Sequence, residues 1–338
     1  MKRNLITPLL YKLKIAVIVI PIAIAAISVS CKNNPITKDT IKNGPIAEGT
    51  TGNLTWSIDK NGELTIAPTP PLTTAAMPNY EYIDDVAANR PPWHHLCSYI
   101  TSVTIANGVT SIGNLAFYEC SNITGKLVIP KKVRHIGHSA FAGCKGLTKV
   151  TVGREVVSIK SSAFNGCSGI TAFSVPAANE IYASQNGILF NKSKTTLVRY
   201  PAAKQGAFTI PAGVNSIESY AFSYCTGATS LTIPDGVTSI GSYAFARSSL
   251  TSVTIGKGIT TIGSDIFKDC TNLTSITIPD WVTSIEHGAF SGCTGLINIT
   301  IPNEVTQPFS SCTLYLPKTN TGYNNGQWNQ FTNRIENL

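Results

Sequence analysis

The feature that most constrains the fold of this chain is a repeat of about 23 residues within its 338 residues. Segment 250–270 matches segment 273–293 in register, and each contains a Phe that is followed three residues later by a Cys. This marker Phe recurs at gaps of 24, 23, 58, 23, 22, 23 and 19 residues, at Phe117, Phe141, Phe164, Phe222, Phe245, Phe267, Phe290 and Phe309. Because the gap of 58 equals two repeats plus 12 residues, a further unit with an insertion is predicted there, which makes nine units.

Each unit contains two short segments with the pattern of β-strands. In one unit Val253 and Ile255 alternate with Thr254, which is the two-residue period of a strand with one buried face. Pro or Gly then turns the chain, and a second apolar pair, Ile259 and Ile262, indicates another extended segment. One unit cannot cover its own apolar side, whereas stacked units bury a continuous core. The sequence therefore predicts a β-rich solenoid that is stabilised by contacts between neighbouring units.

The two ends of such an array need caps, because a terminal unit otherwise exposes an apolar face. Near the N-terminus, Leu54–Ile58 and Glu63–Ile66 flank the turn residues Asp59–Gly62, a pattern that predicts a β-hairpin. The predicted order of segments is an N-terminal β-hairpin cap at 50–97, the solenoid at 98–312 with an inserted hairpin at 182–201, and a C-terminal cap at 313–338.

The N-terminus has the features of an export signal. A basic start precedes the apolar run Ile15–Ile27, which is shorter than a typical membrane span, and small residues then lead to Cys31. This arrangement resembles the lipobox of bacterial lipoproteins, although Ser28 stands where Leu is usual. We predict a signal peptide at 1–30, lipidation of Cys31 and a flexible polar tether at 31–49. An ordinary signal peptide or an N-terminal anchor helix is the alternative.

The charge and the motifs of the chain exclude several classes of function. The formal net charge is +8, and removal of the first 30 residues leaves 22 basic and 18 acidic residues, a net charge of +4. This small charge gives no electrostatic footprint for nucleic acid. The motifs of zinc proteases, serine hydrolases and phosphate-binding loops are absent from the sequence. We therefore predict no enzymatic activity, no cofactor, no metal site and no nucleic-acid partner.

Seven cysteines share one position of the repeat, three residues after the marker Phe: Cys120, Cys144, Cys167, Cys225, Cys270, Cys293 and Cys312. Cysteines at a repeated inward position behave as small buried hydrophobic residues. Neighbouring coils lie about 4.8 Å apart, so disulfides between them are the alternative in an exported protein. Because side chains in phase point the same way, which is poor disulfide geometry, we expect free thiols.

The repeat resembles that of the BspA-like (Treponema-pallidum-type) leucine-rich repeat family. Residues 228–245, which end in Val-Thr-Ser-Ile-Gly-Ser-Tyr-Ala-Phe, are nearly intact, and segments 54–66 and 182–201 are similar to hairpins of that family. The resemblance covers about residues 50–338 and implies a right-handed leucine-rich repeat array of about nine units. It also implies a surface lipoprotein or secreted protein that adheres to host matrix or plasma proteins, to cells or to other bacteria.

We therefore predict a bacterial cell-surface lipoprotein that is tethered to the outer membrane through Cys31. Its solenoid is predicted to act as an adhesin or protein-interaction scaffold for host matrix, plasma or cell-surface proteins, for other bacteria, or for glycans. A non-adhesive scaffold protein that faces the periplasm or lies in the envelope is the alternative.

One candidate binding surface is a strip of outward residues on the first strand of each unit. The alternation predicts that one hydroxyl per unit faces outward, at Thr104, Thr151, Thr209, Thr232, Thr254, Thr277 and Thr300. Threonine is also a good exposed strand residue, so the strip has a purely structural explanation. The functional alternatives are a broad contact surface for protein or glycan and, as an outside case, ice binding.

The inserted hairpin is the second candidate, because it is the one place where the array departs from its period. Insertions in repeat proteins often lie on the binding face. Its candidate contact residues are Tyr182, Lys192, Lys194, Arg199 and Tyr200. The alternative is a structural hairpin that covers a weak repeat.

Overall fold

A computed structural model describes residues 45–81, 90–301 and 305. These residues form a β-solenoid of about eight turns, which confirms the predicted fold. They contain 23 short strands, numbered β1 to β23 in chain order, one 3₁₀ turn at His94–Leu96 and no α-helix. The predicted signal peptide, Cys31, Phe309, Cys312 and the C-terminal cap lie outside the described residues.

The first strands of successive coils pair in parallel within separate short sheets, and the pairing is interrupted between some of the coils. In β17 and β19, Ser230 pairs with Ser252 and Thr232 with Thr254, while Leu231 between them is buried. This is the two-residue alternation predicted from the sequence. The first strands are β5 (Ser102–Ile105), β7 (Gly125–Val128), β9 (Leu147–Thr151), β11 (Ala172–Ser174), β15 (Gly206–Thr209), β17 (Ala228–Thr232), β19 (Ser252–Thr254), β21 (Ser275–Thr277) and β23 (Asn298–Thr300).

The second strand of each coil is shorter and lies in a second set of parallel sheets. Its last residue is an Ile in most coils, and Ile217, for example, is buried and pairs with Ile240 of the next coil. These strands are β6 (Val109–Ile112), β8 (His135–Ile136), β10 (Ser158–Ile159), β14 (Thr196–Arg199), β16 (Ser216–Ile217), β18 (Ser239–Ile240), β20 (Thr261–Ile262) and β22 (Ser284–Ile285).

The described marker Phe residues pack on one another in two runs, from Phe117 to Phe164 and from Phe222 to Phe290. The ring centroids of Phe117 and Phe141 are 4.9 Å apart at an interplanar angle of 8°, and those of Phe141 and Phe164 are 5.4 Å apart at 3°. The Phe117 amide also donates to the Ala140 carbonyl of the next coil, at 2.7 Å. Each marker Phe therefore joins neighbouring coils through both its ring and its backbone, and we call this stack the aromatic column.

The unit predicted between Phe164 and Phe222 is present, and Tyr200 takes the place of its marker Phe. The Tyr200 ring lies 4.8 Å from that of Phe222, and its amide donates to the Ala221 carbonyl at 2.8 Å, as a marker Phe does. The insertion supplies β12 (Tyr182–Gln185) and β13 (Ile188–Asn191), which pair antiparallel with each other. Strand β13 then pairs with β14, which returns to the parallel register of the second strands.

The insertion also divides the hydrophobic core into two clusters. One cluster runs from Leu54 to Val198 and the other from Ile188 to Val305. The strands of the insertion contribute to both, since Leu189 and Val198 belong to the first cluster, whereas Ile188, Phe190, Leu197 and Tyr200 belong to the second. The inserted coil is therefore the junction between two halves of the solenoid.

The N-terminal cap has the layout of a repeat coil with an added antiparallel strand pair. It comprises β1 (Ala47–Thr51), β2 (Leu54–Ile58), β3 (Glu63–Pro68) and β4 (Ala75–Ala76). Strands β1, β2 and β3 pair antiparallel in order, but β3 and β4 pair in parallel with β5 and β6. Trp93 stacks 5.8 Å from Phe117 at the start of the aromatic column. Because β1 begins at Ala47, it lies partly inside the segment 31–49 that was predicted to be a flexible tether.

One disulfide corrects the expectation that the repeated cysteines are free. Cys97 and Cys120 are bonded, with their Cα atoms 4.6 Å apart. The expectation is wrong for Cys120 because Cys97 follows its aromatic residue, Trp93, by four positions instead of three, so the two side chains are not in phase. For the five other described members the expectation is confirmed, since each is free and buried: Cys144, Cys167, Cys225, Cys270 and Cys293.

The free cysteines are part of the core in a specific way. The Cys144 thiol donates to the Phe117 carbonyl of the preceding coil at 3.1 Å, and the thiols of the following coils repeat this contact. Burial raises the pKa of Cys167 and of Cys225 to about 12. Because the thiolate is the reactive form, these thiols are chemically inert in the folded protein.

We expect the combined substitution Cys97→Ala and Cys120→Ala to lower the free energy of unfolding by about 3 kcal/mol. The disulfide closes a loop with a sequence separation of 23 residues and so restricts the unfolded chain. Urea unfolding of the oxidised wild-type and variant chains measures the difference. As a chemical control, alkylation of the unfolded wild-type chain without reductant should label Cys144, Cys167, Cys225, Cys270 and Cys293 and spare Cys97 and Cys120. Labelling of those two, or equal stability of the variant, would contradict the prediction.

Candidate binding surfaces

The predicted threonine strip lies on the outer side of the first strands. Thr209, Thr232 and Thr254 are exposed and occupy aligned positions on β15, β17 and β19. Thr277 and Thr300 are aligned in the same way on β21 and β23. The strand pairing thus places one exposed hydroxyl per coil at the same height within each of these two sheets of the C-terminal half.

The strip is less regular in the N-terminal half. Thr104 is exposed, but its hydroxyl donates to the Glu63 carboxylate at 2.6 Å, and Thr151 is half-buried. Val128 and Ser174 occupy the equivalent positions of two other coils. The sheet β7–β9–β11 is separate from the sheet β15–β17–β19, so the strip is interrupted at the insertion.

A second set of threonines performs a structural task close to the strip. The Thr251 hydroxyl donates to the Thr229 carbonyl of the preceding coil at 3.0 Å, and that of Thr171 to the Thr148 carbonyl at 2.9 Å. These residues lie three positions before the strip residues of their coils, as Thr251 does before Thr254. At the position of Thr251, threonine therefore has a structural role. At the strip position three residues later, the threonine side chain faces solvent in most coils.

Three of the five residues predicted on the inserted hairpin are buried, which corrects their assignment to a contact surface. Tyr182 is 8% exposed, and its hydroxyl accepts a hydrogen bond from the Ile159 amide at 2.9 Å. Tyr200 is 1% exposed and belongs to the aromatic column. Arg199 is 5% exposed. For Arg199 and Tyr200 the physical reason is that β14 is a repeat strand that leads into a marker position, so their side chains face neighbouring coils. Tyr182 lies on β12 and is buried because its side chain reaches the second strand of the preceding coil.

Arg199 occupies the position directly before the marker residue, which is Ala in both neighbouring coils. Its guanidinium donates to the carbonyls of Phe164 at 2.9 Å, of Ser223 at 3.3 Å and of Tyr220. Burial lowers the pKa of this guanidinium. The hydrogen bonds join the coils on either side of the insertion, because Phe164 precedes it and the other two residues follow it.

The contact with Phe164 replaces one that a cysteine makes elsewhere. In the preceding coil the Cys167 thiol donates to the Phe141 carbonyl at 3.0 Å. The inserted coil has Ala203 three residues after Tyr200, so it lacks this thiol, and Arg199 reaches the equivalent carbonyl of Phe164 instead. Sequence reasoning missed this role, although alignment of Arg199-Tyr200 with the Ala-Phe pairs of the other units would have indicated an inward position.

The two lysines of the hairpin are exposed. The Lys192 ammonium donates to the carbonyls of Ala177, at 2.9 Å, and Asn179, and so holds the loop that leads into the hairpin. Lys192 also lines a groove of about 600 Å³ together with Arg134 and Arg154. Lys194 is exposed at the hairpin turn. Of the predicted hairpin set, Lys192 and Lys194 therefore remain available to a partner.

The described part of the chain contains no group of three or more His, Cys, Asp or Glu side chains that is placed to hold a metal ion. Among the same residues, no helix has the length and apolar character needed to cross a membrane.

Several solved bacterial structures are similar to this chain. The pneumococcal vaccine antigen PcpA matches with a TM-score of 0.51 and 17% identity, over 81% of this chain and 88% of the antigen. A leucine-rich repeat protein from Eubacterium ventriosum matches with a TM-score of 0.44 and 24% identity, over 82% and 97% of the two chains. A leucine-rich cell surface protein from Faecalibacterium prausnitzii matches with a TM-score of 0.40 and 23% identity, over 75% and 94%.

No curated protein matches the sequence. The family model for the BspA type leucine rich repeat region matches residues 93–204 and 200–315, with six copies of the repeat. Proteins of this family are typically found at the cell surface, and leucine-rich repeat solenoids generally mediate protein interactions. The matched segments cover most of the solenoid and share its 23-residue period. The chain therefore belongs to the BspA-type leucine-rich repeat family.

Proposed function

We propose that this protein is a bacterial cell-surface adhesin that binds host matrix, plasma or cell-surface proteins through its solenoid. The observation that carries the proposal is the regular outer face of the stacked coils, where Thr209, Thr232 and Thr254 are exposed in parallel register. Neighbouring coils are fixed by the aromatic column and by backbone hydrogen bonds, so this face is preformed. A preformed surface loses little conformational entropy on binding. Membership of a surface-protein family supports the same conclusion.

We further propose that Cys31 attaches the protein to the outer membrane. Fifteen residues separate Cys31 from Ala47, where β1 begins. A fully extended segment of this length spans about 50 Å, which is enough to hold the solenoid clear of a lipid headgroup region.

The binding proposal is tested with an array of immobilised fibronectin, laminin, collagen, fibrinogen and glycans that is probed with purified residues 32–338. We expect saturable binding to at least one protein, and no binding by the same chain after heat denaturation, because the surface depends on coil stacking. Failure of the folded chain to bind any member of the array would contradict the adhesin proposal.

The location is tested on whole cells. Globomycin treatment with lipid labelling should reveal a lipid on the wild-type chain and none on the Cys31→Ser variant. External protease should then degrade the wild-type protein on intact cells. A labelled protein that external protease leaves intact would favour the periplasmic scaffold alternative, and an unlabelled wild-type protein would reject lipidation.

A further inference from the structure

In six described coils, those of Phe117, Phe141, Phe222, Phe245, Phe267 and Phe290, the turn around the marker residue contains two positions with a left-handed backbone. They lie two residues before and two residues after the marker, as in the coil of Phe290, where Gly288 has φ 66° and Gly292 has φ 72°. Glycine adopts this conformation without strain, whereas a residue with a Cβ is disfavoured there. The coil of Phe141 also has glycine at its second position, Gly143. The fold itself therefore requires no side chain at either position.

Three consecutive coils nevertheless have large or charged residues at both positions. Their φ values range from 54° to 62°, so each of these residues adopts the conformation that glycine would adopt more easily. We call these six residues the tyrosine–arginine patch: Tyr220, Tyr224, Tyr243, Arg247, Asp265 and Asp269. Leu115 and Glu119 occupy the same two positions in the coil of Phe117, so the absence of glycine alone does not distinguish the patch. What distinguishes these three coils is that their side chains contact one another from coil to coil.

The first positions of the three coils form one row of contacts. The rings of Tyr220 and Tyr243 stack with centroids 5.1 Å apart at 3°. The neighbouring Asp265 carboxylate raises the pKa of the Tyr243 hydroxyl. Lys268 completes this row, since its ammonium lies 3.2 Å from Asp265 and 5.6 Å from the centroid of Tyr243. Tyr220 thus covers one face of the Tyr243 ring, and Asp265 holds the Lys268 ammonium close to that ring.

The second positions form a parallel row. The Arg247 guanidinium lies 5.3 Å from the ring centroid of Tyr224 and also donates to the Tyr224 hydroxyl. The same guanidinium forms an ion pair with Asp269 at 3.0 Å. These contacts fix side chains at the surface, where Arg247 remains 54% exposed. The patch is therefore ordered before any partner arrives, which lowers the entropic cost of binding.

The chemistry of the patch favours a protein as its partner. Arg247 and the adjacent Lys268 balance Asp265 and Asp269, so the patch together with Lys268 offers no net positive charge to a polyanion. The faces of the tyrosine rings are engaged by one another and by cations, which leaves ring edges, hydroxyls and the guanidinium edge for a partner. These groups suit the carbonyls and aliphatic side chains of a protein surface, and Tyr and Arg dominate the energetics of protein interfaces.

We propose that the tyrosine–arginine patch is the site through which the solenoid contacts a protein partner. This inference rests on the proposed function, because it names the part of the solenoid that performs it. The patch is confined to the coils of Phe222, Phe245 and Phe267, and no coil of the described N-terminal half has a tyrosine or an arginine at either left-handed position.

The test uses the preference of these positions for glycine. In the patch variant, Tyr220, Tyr224, Tyr243 and Arg247 are each replaced by Gly. We expect this variant to melt at no lower temperature than the wild-type chain, because Gly relieves backbone strain, and to bind the array protein about 100-fold more weakly or worse. The control variant carries Leu115→Gly, Glu119→Gly and Ser139→Gly, which are the same kind of change at the same positions of other coils. Its affinity should stay within about twofold of wild type.

The outcomes separate this inference from the proposed function. Wild-type binding to a protein that the patch variant binds equally well would overturn the patch assignment and leave the adhesin proposal intact. Binding of the wild-type chain to glycans alone would overturn the choice of a protein partner, and no binding at all would overturn the proposed function. If the patch variant fails to fold, the pair Tyr224→Phe and Arg247→Gln should still weaken binding about tenfold, and unchanged binding would overturn the assignment.

Discussion

Replacement of Phe245 by Ala is expected to lower the free energy of unfolding by about 3–5 kcal/mol. Phe245 is fully buried, and its ring lies between those of Phe222, at 5.4 Å, and Phe267, at 5.2 Å. Truncation removes contacts to both neighbouring coils and leaves a cavity in the middle of the aromatic column. Because each coil touches only its neighbours, the two lost interfaces cannot be replaced by contacts elsewhere.

Urea unfolding followed by circular dichroism measures this effect. Thr254→Ala, an exposed change in the next coil, serves as the matched control and should alter stability by less than about 0.5 kcal/mol. If Phe245→Ala were equally mild, the ring would not be a buried part of the column, and the inward direction of the whole marker position would be in doubt.

Replacement of Arg199 by Met is expected to lower the free energy of unfolding by about 2–4 kcal/mol. Methionine keeps much of the aliphatic length but donates no hydrogen bond, so the variant loses the contacts to the carbonyls of Phe164, Tyr220 and Ser223. Hydrogen bonds from a charged donor are worth more than neutral ones, and buried carbonyls that lose a donor have no water to replace it. The gain from no longer burying a cation offsets part of this loss.

The same substitution should also weaken the coupling between the two halves of the solenoid. Arg199 joins coils on either side of the insertion, where the hydrophobic core divides into two clusters. We therefore expect Arg199→Met to broaden the urea transition, with a lower m value, in addition to shifting its midpoint. Lys194→Met, an exposed change in the same hairpin, is the control. A sharp transition at the wild-type midpoint would show that Arg199 neither stabilises nor couples the halves.

The two predictions bear on function because the proposed binding surfaces exist only on stacked coils. Thr232 and Thr254 are aligned by the pairing of β17 with β19, and Tyr220 and Tyr243 stack because their coils are neighbours. A change that separates coils should therefore reduce binding even though it touches no exposed residue. The patch variant should instead reduce binding without lowering stability, since it removes surface groups at positions where glycine suits the backbone.

The repeat allowed much of the fold to be predicted. A period of about 23 residues with alternating apolar positions leaves stacking as the way to bury Leu231, Val253 and the marker Phe residues, and the structure buries them. The register of β17 on β19 follows from the same fact, because a slip by one residue would turn the apolar positions outward. The presence of one further unit near the insertion was also predictable, since the gap of 58 residues between Phe164 and Phe222 contains two periods.

The candidate site was predicted less well. The exposure of a side chain depends on the register of its strand, and the register cannot be read from the repeat period where the insertion interrupts that period. Tyr182, Arg199 and Tyr200 have the composition of a contact surface, yet β14 joins the parallel strands and turns Arg199 and Tyr200 inward. The sequence of a single repeat unit does not reveal which of its positions have a left-handed backbone. Tyr220 and Arg247 become notable only when their φ values are known and glycine is seen at the same position of other coils.

Periodicity and hydrophobic burial are enough to predict that this chain is a stacked array whose core contains the marker Phe residues and the alternating apolar residues. The described residues form about eight turns, and the ninth predicted unit, marked by Phe309, lies outside them. Which residues of neighbouring coils meet is settled by the tertiary structure. It bonds Cys97 to Cys120, although the period alone suggested that repeated cysteines stay free, and it gathers Tyr220, Tyr243 and Arg247 into one patch. Such contacts depend on side-chain direction and backbone handedness at single positions, which a repeating pattern of residue types does not specify.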